Sequence, residues 1–445
     1  MSFDNTRKEL KVDQERAFLV SVDLPERPWV TQDPLEEITG LVTTAGATVV
    51  GGLLQRRQDI HPGTFIGKGK LDQLIYEAGS VDADVIVFDN DLTPAQVRNL
   101  EKATERKVLD RSEIILDIFA TRARSVEARL QVELAQLEYS LPRLKQMWTH
   151  LSRQEGGGIG LRGPGETQLE VDRRLVAYRI RDLKEKIRIV QARKEREVAS
   201  RSDEYTVSLV GYTNAGKSTL MKALTGADIK VANQLFSTLD TRTRQWQIPE
   251  FGKVLLSDTV GFIRDLPHHL IASFKATLEE ARQARLLLHV VDASDPLAED
   301  HIQAVKGVLK ELGCEDKPTL LVFNKADKVE DISLLDVLDS RFPDTIHISA
   351  ARRKGIEELC EAVVTKLTSN FVETEVNASA GNGRVIAFLS AHAEIYHQEY
   401  EGDRVQIGCY IPRHLIHHIH EPGVQIQVRL DDGTLGPYRN GDGAE

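Results

Sequence analysis

The stretch Gly211-Tyr-Thr-Asn-Ala-Gly216-Lys217-Ser218 matches the pattern G-x-x-x-x-G-K-[ST]. The β-branched and apolar residues 205–210 before it predict a buried strand, and residues 219–224 after it predict the first turns of a helix. Glycines between a strand and a helix let successive backbone N–H groups and the helix N-terminus surround an anion. We predict that Lys217 reaches the β- and γ-phosphates and that the Ser218 hydroxyl ligates Mg²⁺. The stretch therefore indicates a binding site for a nucleoside triphosphate.

A second motif, Asp258-Thr-Val-Gly261, follows a predicted strand at 254–257. Its carboxylate is suited to hold the Mg²⁺ shell through water, and the Gly261 N–H is suited to sense the γ-phosphate. Upstream of it, residues 234–240 contain Thr238, whose hydroxyl can ligate Mg²⁺ only when the γ-phosphate is present. Such a segment orders with the triphosphate and loosens with the diphosphate. The pattern predicts a nucleotide-dependent switch.

The choice of base is predicted by Asn324-Lys-Ala-Asp327, which follows a predicted strand at 319–323. The Asp327 carboxylate can accept both N–H groups of the guanine edge, an arrangement that adenine does not offer. Asn324 can bond the acceptor side of guanine, and the Lys325 stem can pack on the base plane. Ser349-Ala-Ala351, after a short strand, supplies backbone N–H groups for the guanine oxygen. We predict GTP rather than ATP.

Composition and charge restrict the class of protein. The chain has 445 residues, three cysteines and a net charge of −11. Between residues 111 and 201, however, 19 Lys and Arg stand against 13 Asp and Glu, a net of +6. This asymmetry suggests one localised contact with a polyanion. The N-terminus lacks a signal-peptide core and no apolar run reaches bilayer length, so we expect a reduced, cytoplasmic location.

The predicted fold class is α/β, with a P-loop GTPase domain preceded by a small parallel α/β domain and an antiparallel helical hairpin, and followed by a small α+β module. Strand and helix signals alternate through the N-terminal domain, as in parallel α/β domains. Residues 369–383 are expected to be a polar linker. The predicted boundaries are 1–110 for the first domain, 111–202 for the hairpin, 203–369 for the GTPase domain, 384–430 for the C-terminal module and 431–445 for a disordered tail.

Two apolar stripes predict the hairpin. Leucines recur with a 4-3-4-3 spacing from Leu130 to Leu144, and aliphatic residues repeat that spacing from Val176 to Val190. Pro142 should interrupt the first helix. Between the stripes, residues 152–167 contain six glycines, one proline and two arginines. A loop this long and glycine-rich is uncommon unless it is functional or disordered.

Two weaker patterns leave alternatives open. Gly63-Thr-Phe-Ile-Gly67-Lys68-Gly69-Lys70 enters a predicted helix and could touch phosphate, but its spacing is not that of a phosphate loop, so a plain strand-to-helix connection is favoured. In the C-terminal module, His414, His417, His418 and His420 invite a metal interpretation. Because no cysteine or carboxylate lies in register with them, we expect a polar helix face.

At this point the chain closely resembles the HflX family of GTPases. The resemblance rests on residues 211–219, 235–240, 258–263 and 324–327. It also rests on the glycine-rich motif 157–170 between the two stripes and on Phe65-Ile-Gly-Lys-Gly-Lys70. It implies a cytoplasmic protein that binds the large ribosomal subunit and, in its GTP form, splits or rescues stalled ribosomes. The choice of Thr238 over Thr241 and Thr243 also rests partly on it. Ribosomal RNA is then the expected target of residues 111–201, with the tip loop 153–166 reaching the peptidyl-transferase region.

One position departs from ordinary regulatory GTPases. Where a glutamine would orient the attacking water, this chain has Phe262, which cannot polarise water. Slow unstimulated hydrolysis is therefore expected. We hypothesise that a K⁺ held partly by Asn214 supplies charge stabilisation, since potassium-activated relatives carry an asparagine there. Alternative functions are a GTPase regulator of a protein partner, in peripheral association with a membrane, and an RNA-remodelling NTPase that uses the N-terminal domain.

The predicted catalytic residues are Lys217, Thr238, Gly261 and Asn214, and the predicted Mg²⁺ ligands are Ser218 and Thr238. We expect a monomer. The predicted nucleotide-binding residues fall in five segments: Gly211, Tyr212, Thr213, Asn214, Ala215, Gly216, Lys217 and Ser218; Phe236, Ser237, Thr238, Leu239 and Asp240; Asp258, Thr259, Val260 and Gly261; Asn324, Lys325, Ala326 and Asp327; and Ser349, Ala350 and Ala351.

Overall fold

The computed structural model has three sheets along one chain. The structure describes residues 14–25, 29, 33–143, 168–199, 204–227, 235–236, 238–239, 241–249, 251–264, 278–329, 332–369, 371–429 and 435–437. Within these residues no helix is long and apolar enough to cross a membrane. The α/β fold class predicted from the sequence is confirmed.

The N-terminal domain is a four-stranded parallel sheet in the order β2-β1-β3-β4. Its elements are β1 (Arg16–Asp23), α1 (Glu36–Thr44), β2 (Thr48–Arg56), α2 (Lys68–Ser80), β3 (Val85–Phe88), α3 (Pro94–Thr104) and β4 (Lys107–Asp110). Short runs of aliphatic and aromatic residues, buried on both faces, form β1 and β3. The prediction of a parallel domain is confirmed, although β4 was not among the predicted strands.

Three helices follow: α4 (Arg111–Arg122), α5 (Val126–Ser140) and α6 (Gln168–Ala199). Helices α5 and α6 pack together through Leu134 and Leu137 on one side and Val176, Ile180, Leu183 and Ile187 on the other, so both predicted stripes form one buried seam. Helix α5 ends two residues before Pro142, in agreement with the predicted interruption. Most of the predicted tip loop, and Leu144, lie outside the described residues.

The GTPase domain is a six-stranded sheet in the order β10-β9-β8-β5-β7-β6, in which only the β6–β7 pair is antiparallel. Its elements are β5 (Tyr205–Val210), α7 (Lys217–Thr225), β6 (Arg242–Ile248), β7 (Gly252–Asp258), α8 (Glu279–Gln283), β8 (Leu286–Asp292), α9 (Ala298–Glu311), β9 (Thr319–Asn324), α10 (Ile332–Arg341), β10 (Thr345–His347) and α11 (Ile356–Thr368). Parallel strands bring their carboxyl ends to one edge, where a ligand crevice forms. The nucleotide-binding motifs at 211–218, 258–261, 324–327 and 349–351 each begin at or just after the end of one of these strands, whereas the switch segment around Thr238 precedes β6.

The C-terminal module is a five-stranded antiparallel sheet in the order β12-β13-β11-β14-β15. Its elements are β11 (Phe371–Ser379), α12 (Gly383–His392), β12 (Glu394–Glu401), β13 (Arg404–Pro412), a 3₁₀ helix (Arg413–Ile419), β14 (Gln425–Arg429) and β15 (Leu435–Pro437). Helix α12 and the 3₁₀ helix cover one face, with Val376, Ile407 and Leu389 in the core between them.

Two predictions about this module are wrong. The expected linker at 369–383 contains β11, the central strand, because Thr374, Val376 and Ala378 alternate inward in an otherwise polar run. The expected disordered tail contains β15 at 435–437, which pairs with β14. The histidines of this module lie on or next to the 3₁₀ helix. No group of metal-binding side chains occurs in the described part of the chain, and the side chain of His414 lies outside it.

Candidate functional site

The phosphate loop connects β5 to α7 at the carboxyl edge of the sheet. Gly211 has φ +149°, and a Cβ there would meet the Val290 carbonyl oxygen at 2.2 Å; Gly216 has φ +96°. Both conformations need glycine. Lys217 is buried, and its Nζ donates to the carbonyl oxygens of Gly211 and Tyr212 at 2.9 and 2.8 Å. Burial lowers the pKa of Lys217 to about 8, partly opposed by Asp258. A phosphate beside this ammonium would favour its charged form.

Three oxygen-bearing side chains converge beside the loop. Ser218 Oγ lies 2.9 Å from Thr238 Oγ1 and donates to Asp258 Oδ2 at 2.7 Å, while Thr238 Oγ1 donates to the same oxygen at 3.1 Å. Burial raises the pKa of Asp258, and Ser218, Lys217 and Thr238 oppose this rise. The other carboxylate oxygen, Oδ1, is buried and has no hydrogen-bond partner.

This donor set fits a magnesium ion. Hydroxyl and carboxylate oxygens are the ligands that Mg²⁺ prefers, and an orphaned buried carboxylate oxygen calls for a cation or water. Ser218 and Thr238 would hold the ion directly, and Asp258 would hold its water shell. A bound Mg²⁺ neutralises charge on the β- and γ-phosphates. Thr238 lies next to Ser218, although the two residues are 20 positions apart in the sequence.

The segment 258–264 closes directly on the phosphate loop. Phe262 N–H donates to the Gly211 carbonyl oxygen at 3.1 Å, and Thr213 N–H donates to the Phe262 carbonyl oxygen at 2.7 Å. A Cβ on Gly261 would lie 2.9 Å from Thr213 Cα and 3.2 Å from Lys217 Nζ. Gly261 therefore lies against the phosphate-binding backbone, where its N–H can meet a γ-phosphate. The Phe262 side chain is buried and turned into the core.

Other predicted residues connect the phosphate loop and its neighbouring segments to the rest of the domain through hydrogen bonds and core packing. The Thr259 hydroxyl donates to the Leu209 carbonyl oxygen at 2.7 Å, and the Thr213 hydroxyl accepts from the Phe236 N–H at 2.9 Å. Phe236 and Leu239 are buried in the same core, and Val260 joins them. Asn214 is exposed on the phosphate loop with φ 61°. Ser237 and Asp240 lie outside the described residues.

The predicted base-recognition residues also come together. Asn324 Nδ2 donates to the Ala215 carbonyl oxygen at 2.9 Å, and its Oδ1 accepts from the Ala350 N–H at 3.0 Å. Asn324 therefore ties the phosphate loop to the segment 349–351, whereas the sequence suggested a contact with guanine itself. The Ala326 N–H donates to the Ile348 carbonyl oxygen at 3.1 Å, so this turn is tied to the same segment. Ala351 is exposed.

Asp327 lies in the turn after β9 with its side chain 13% exposed. A hydrogen bond from Ser349 lowers the pKa of its carboxyl, so it is ionised at neutral pH. Its Oδ2 lies 2.9 Å from Arg352 Nε, which sequence reasoning did not single out. Lys325 has φ 61°, and its Nζ lies 2.5 Å from Asp292 Oδ2, which fixes the lysine stem. An ionised, accessible carboxylate is the group that two guanine N–H donors require.

Sequence reasoning also missed a cluster where the N-terminal domain meets the site. Tyr212 Oη donates to Glu37 Oε1 at 2.8 Å and accepts from the Arg264 N–H at 2.8 Å. Arg111 Nη2 donates to Glu37 Oε1 at 2.5 Å and to the Arg264 carbonyl oxygen at 3.0 Å. In the sequence, Arg111 is visible only as a helix start and Glu37 only as a carboxylate in the first turn of a helix. Neither position indicates that the two side chains meet at Arg264.

A phosphate loop at the end of a strand, a converged hydroxyl–carboxylate cluster, a phosphate-sensing glycine and an Asn-Lys-x-Asp turn define a P-loop GTPase. Comparison with protein families gives the same class. Residues 32–120 match "GTP-binding GTPase N-terminal", residues 122–201 match "GTP-binding GTPase Middle Region", and residues 206–325 match "50S ribosome-binding GTPase".

The chain belongs to the HflX family of GTPases. It is 45% identical to GTPase HflX of Escherichia coli K12 over 378 residues, covering 83% of this chain and 87% of that protein. It is 43% identical to GTPase HflX of Lacrimispora saccharolytica, covering 92% and 96%. A Sulfolobus solfataricus GTP-binding protein in complex with GDP is 25% identical, with a TM-score of 0.42, covering 80% and 99%. The predicted resemblance is confirmed, and the protein hydrolyses GTP.

Proposed function

We propose that this GTPase binds the large ribosomal subunit in its GTP form and thereby splits or rescues stalled ribosomes. The observation that carries the proposal is the arm formed by α5 and α6. At ~1.5 Å per residue, the 32 residues of α6 span roughly 48 Å, long enough to reach deep into a large RNA particle. The family match to a 50S ribosome-binding GTPase supports the same partner.

The arm is stiff and its segment is basic. Ion pairs cross from α6 to α5 at Arg179–Glu133 and Lys184–Glu138, both at 2.8 Å, and add to the apolar seam. Residues 111–201 carry a net charge of +6. This charge suits RNA phosphates and makes binding sensitive to salt. In the proposal, residues 153–166, with Arg153 and Arg162, contact unpaired bases and phosphates at the tip.

A co-sedimentation experiment tests the partner. The full chain is mixed with large or small ribosomal subunits in the presence of a non-hydrolysable GTP analogue or GDP. Co-sedimentation with large subunits, stronger with the analogue, is expected. Equal binding with both nucleotides, or binding to small subunits instead, would contradict the proposal.

Replacing residues 156–165 by a short Gly-Ser turn tests the tip. GTP affinity is expected to stay unchanged, because the nucleotide residues all lie in the GTPase domain. Ribosome-stimulated hydrolysis and splitting are expected to collapse. A tip-deleted protein that splits ribosomes at the wild-type rate would show that the loop is only a linker. The same proposal places the protein in the cytoplasm as a monomer, with peripheral association to ribosomes.

We also propose that K⁺ assists hydrolysis. Phe262 is buried and cannot orient water, whereas Asn214 is exposed on the phosphate loop, where its side-chain oxygen can approach both an ion and a phosphate. Hydrolysis is expected to be faster in KCl than in NaCl for the wild type, and the difference is expected to disappear in Asn214→Ala. Equal wild-type rates in the two salts would end this proposal.

A further inference from the structure

Arg264 is the last residue of the segment 258–264, which lies against the phosphate loop. Three groups form hydrogen bonds with Arg264. Its N–H donates to Tyr212 Oη at 2.8 Å, and its carbonyl oxygen accepts from Arg111 Nη2 at 3.0 Å. Its guanidinium donates to Glu37 Oε2 at 3.1 Å. Glu37 belongs to the N-terminal domain, Arg111 is the first residue of α4, which follows that domain, and Tyr212 belongs to the phosphate loop. The end of the phosphate-sensing segment is therefore held by groups from three parts of the chain.

The cluster that holds Arg264 is buried and charged. Arg111 is 2% exposed, and its second guanidinium nitrogen donates to Asp89 Oδ1 at 2.7 Å. Although burial acts to raise the pKa of Glu37, the charges of Arg111 and Arg264 outweigh it and hold the pKa below its usual value. Buried ion clusters tolerate little displacement, because each charge left without a partner is costly. A shift of Arg264 must therefore be followed by a shift of Arg111.

Arg111 is also the first residue of α4, and its neighbour Asp110 faces the arm. Asp110 Oδ2 accepts from Tyr139 Oη at 2.6 Å and from Arg143 Nη2 at 3.1 Å; Tyr139 lies in the last turn of α5, and Arg143 follows the helix by three residues. A single peptide bond thus separates the contact with the phosphate-sensing segment from the contact with the arm.

A second contact connects the same helix to the nucleotide switch. Phe119 of α4 packs edge-on against Phe236, with ring centroids 4.7 Å apart. Phe236 lies two residues before Thr238, one of the hydroxyls that would ligate Mg²⁺. Helix α4 is therefore in contact with both segments whose positions depend on the γ-phosphate.

We propose that Asp110 and Arg111 are positioning residues that couple the phosphate-sensing segment 258–264 to the α5–α6 arm. GTP and GDP then favour different arm positions, through Arg264, Arg111, Asp110 and Tyr139 in that order. The coupling is reciprocal, so contact of the arm with its target changes the relative affinity for the two nucleotides by the same factor. This inference deepens the proposed function and rests on it only where ribosomes are the readout.

The first test needs no ribosome. Hydrogen exchange of the full chain is measured with GDP and with a non-hydrolysable GTP analogue. In the wild type, amides of residues 111–140 are expected to exchange at least about fivefold differently in the two complexes, a coupling at the low end of the usual range. Glu37→Gln removes the charge that pairs with Arg111 and Arg264 on the nucleotide side, and in this variant the difference should shrink to less than half. Tyr139→Phe removes one of the two donors to Asp110 on the arm side and should have the same effect on residues 126–140.

Matched controls separate coupling from general loosening. Glu36→Gln makes the same change one residue away at an exposed position of α1, and Tyr76→Phe removes a hydroxyl from an exposed tyrosine. Both should keep the wild-type difference. The double variant Glu37→Gln/Tyr139→Phe should lose no more than the larger single effect, since both changes interrupt one connection. Substitution of Arg111 itself is avoided, because it would remove an ion-pair partner from both Glu37 and Asp89 in a largely buried cluster.

The second test uses large ribosomal subunits. The ratio of the affinities of the GTP-analogue and GDP forms should fall at least fivefold in Tyr139→Phe, whereas GTP affinity without ribosomes stays within twofold of the wild type. If the GTP-analogue and GDP forms of the wild type bind large subunits with equal affinity, the proposed function is contradicted. The coupling is not, because the exchange experiment decides it. An exchange difference that persists undiminished in Glu37→Gln and Tyr139→Phe would overturn the coupling.

Discussion

Adding one methyl group at Gly261 tests how hydrolysis depends on the closed phosphate-sensing segment. The Cβ of alanine would lie 2.9 Å from Thr213 Cα and 3.1 Å from Thr213 Cβ. Backbone atoms cannot yield as the end of a flexible side chain can, so the segment itself must move away. That movement breaks the two backbone hydrogen bonds that join Phe262 to the phosphate loop.

The size of the effect follows from those two bonds. Each contributes roughly 0.5–1.5 kcal/mol net, so the closed arrangement loses about 1–3 kcal/mol. Its population, and with it the single-turnover rate of GTP hydrolysis, should fall about 5- to 150-fold. Because the methyl group lies at the γ-phosphate end, GDP affinity measured with a fluorescent nucleotide should change less than threefold. Gly307→Ala is the control, since a Cβ there meets nothing within 4 Å. Gly261→Ala protein that hydrolyses GTP at the wild-type rate would refute this account of the segment.

Two further predictions concern the recognition of guanine by Asp327 and the titration of the Glu113 carboxyl. Asp327→Asn should weaken GTP binding by several kcal/mol and shift preference toward xanthosine triphosphate, because an amide replaces the charged acceptor; competition between the two nucleotides measures this, and unchanged GTP affinity would contradict it. Burial and Asp110 raise the pKa of Glu113 to about 8. Since the pKa is raised on folding, the stabilisation from the protonated group is complete below about pH 4.5 and is lost as pH rises to about 8. The thermal midpoint of the wild type should fall over this range more than that of Glu113→Gln, and equal slopes would rule the explanation out.

The nucleotide-binding motifs could be found in the sequence because their signals are local. Each segment is a short run of fixed residue types placed after a strand, and a strand end fixes where the run lies in a parallel sheet. The seam of the arm was also predictable, since period 3.5 is visible within a single helix. Thr238 required more than spacing, and the resemblance to a family supplied it.

The contacts around Arg111 could not be predicted in this way. Arg111 bonds residues 74 and 153 positions away, and no local pattern encodes contacts at that separation. The contacts of Asn324 could not be predicted for the same reason. We predicted a contact with guanine, whereas in the structure its amide joins two loops that are far apart in sequence. Strand β11 was missed because glutamate and threonine outweigh its short inward alternation, which only pairing on both sides stabilises.

Phe262 connects the chemistry of the site to the arrangement of the domains. Ordinary regulatory GTPases use this position to orient the attacking water, but here the side chain is 2% exposed and packs in a core shared with Ile38 and Phe119 of the N-terminal domain. The backbone of the same residue holds the phosphate loop through two hydrogen bonds. Phe262 cannot orient water, but it holds the segment 258–264 in two ways. Its backbone bonds the phosphate loop, and its side chain packs in the core shared with the neighbouring domain. In the proposed function, a partner that displaces the N-terminal domain also displaces the backbone that faces the γ-phosphate, and we expect the rate of hydrolysis to respond to what the arm contacts.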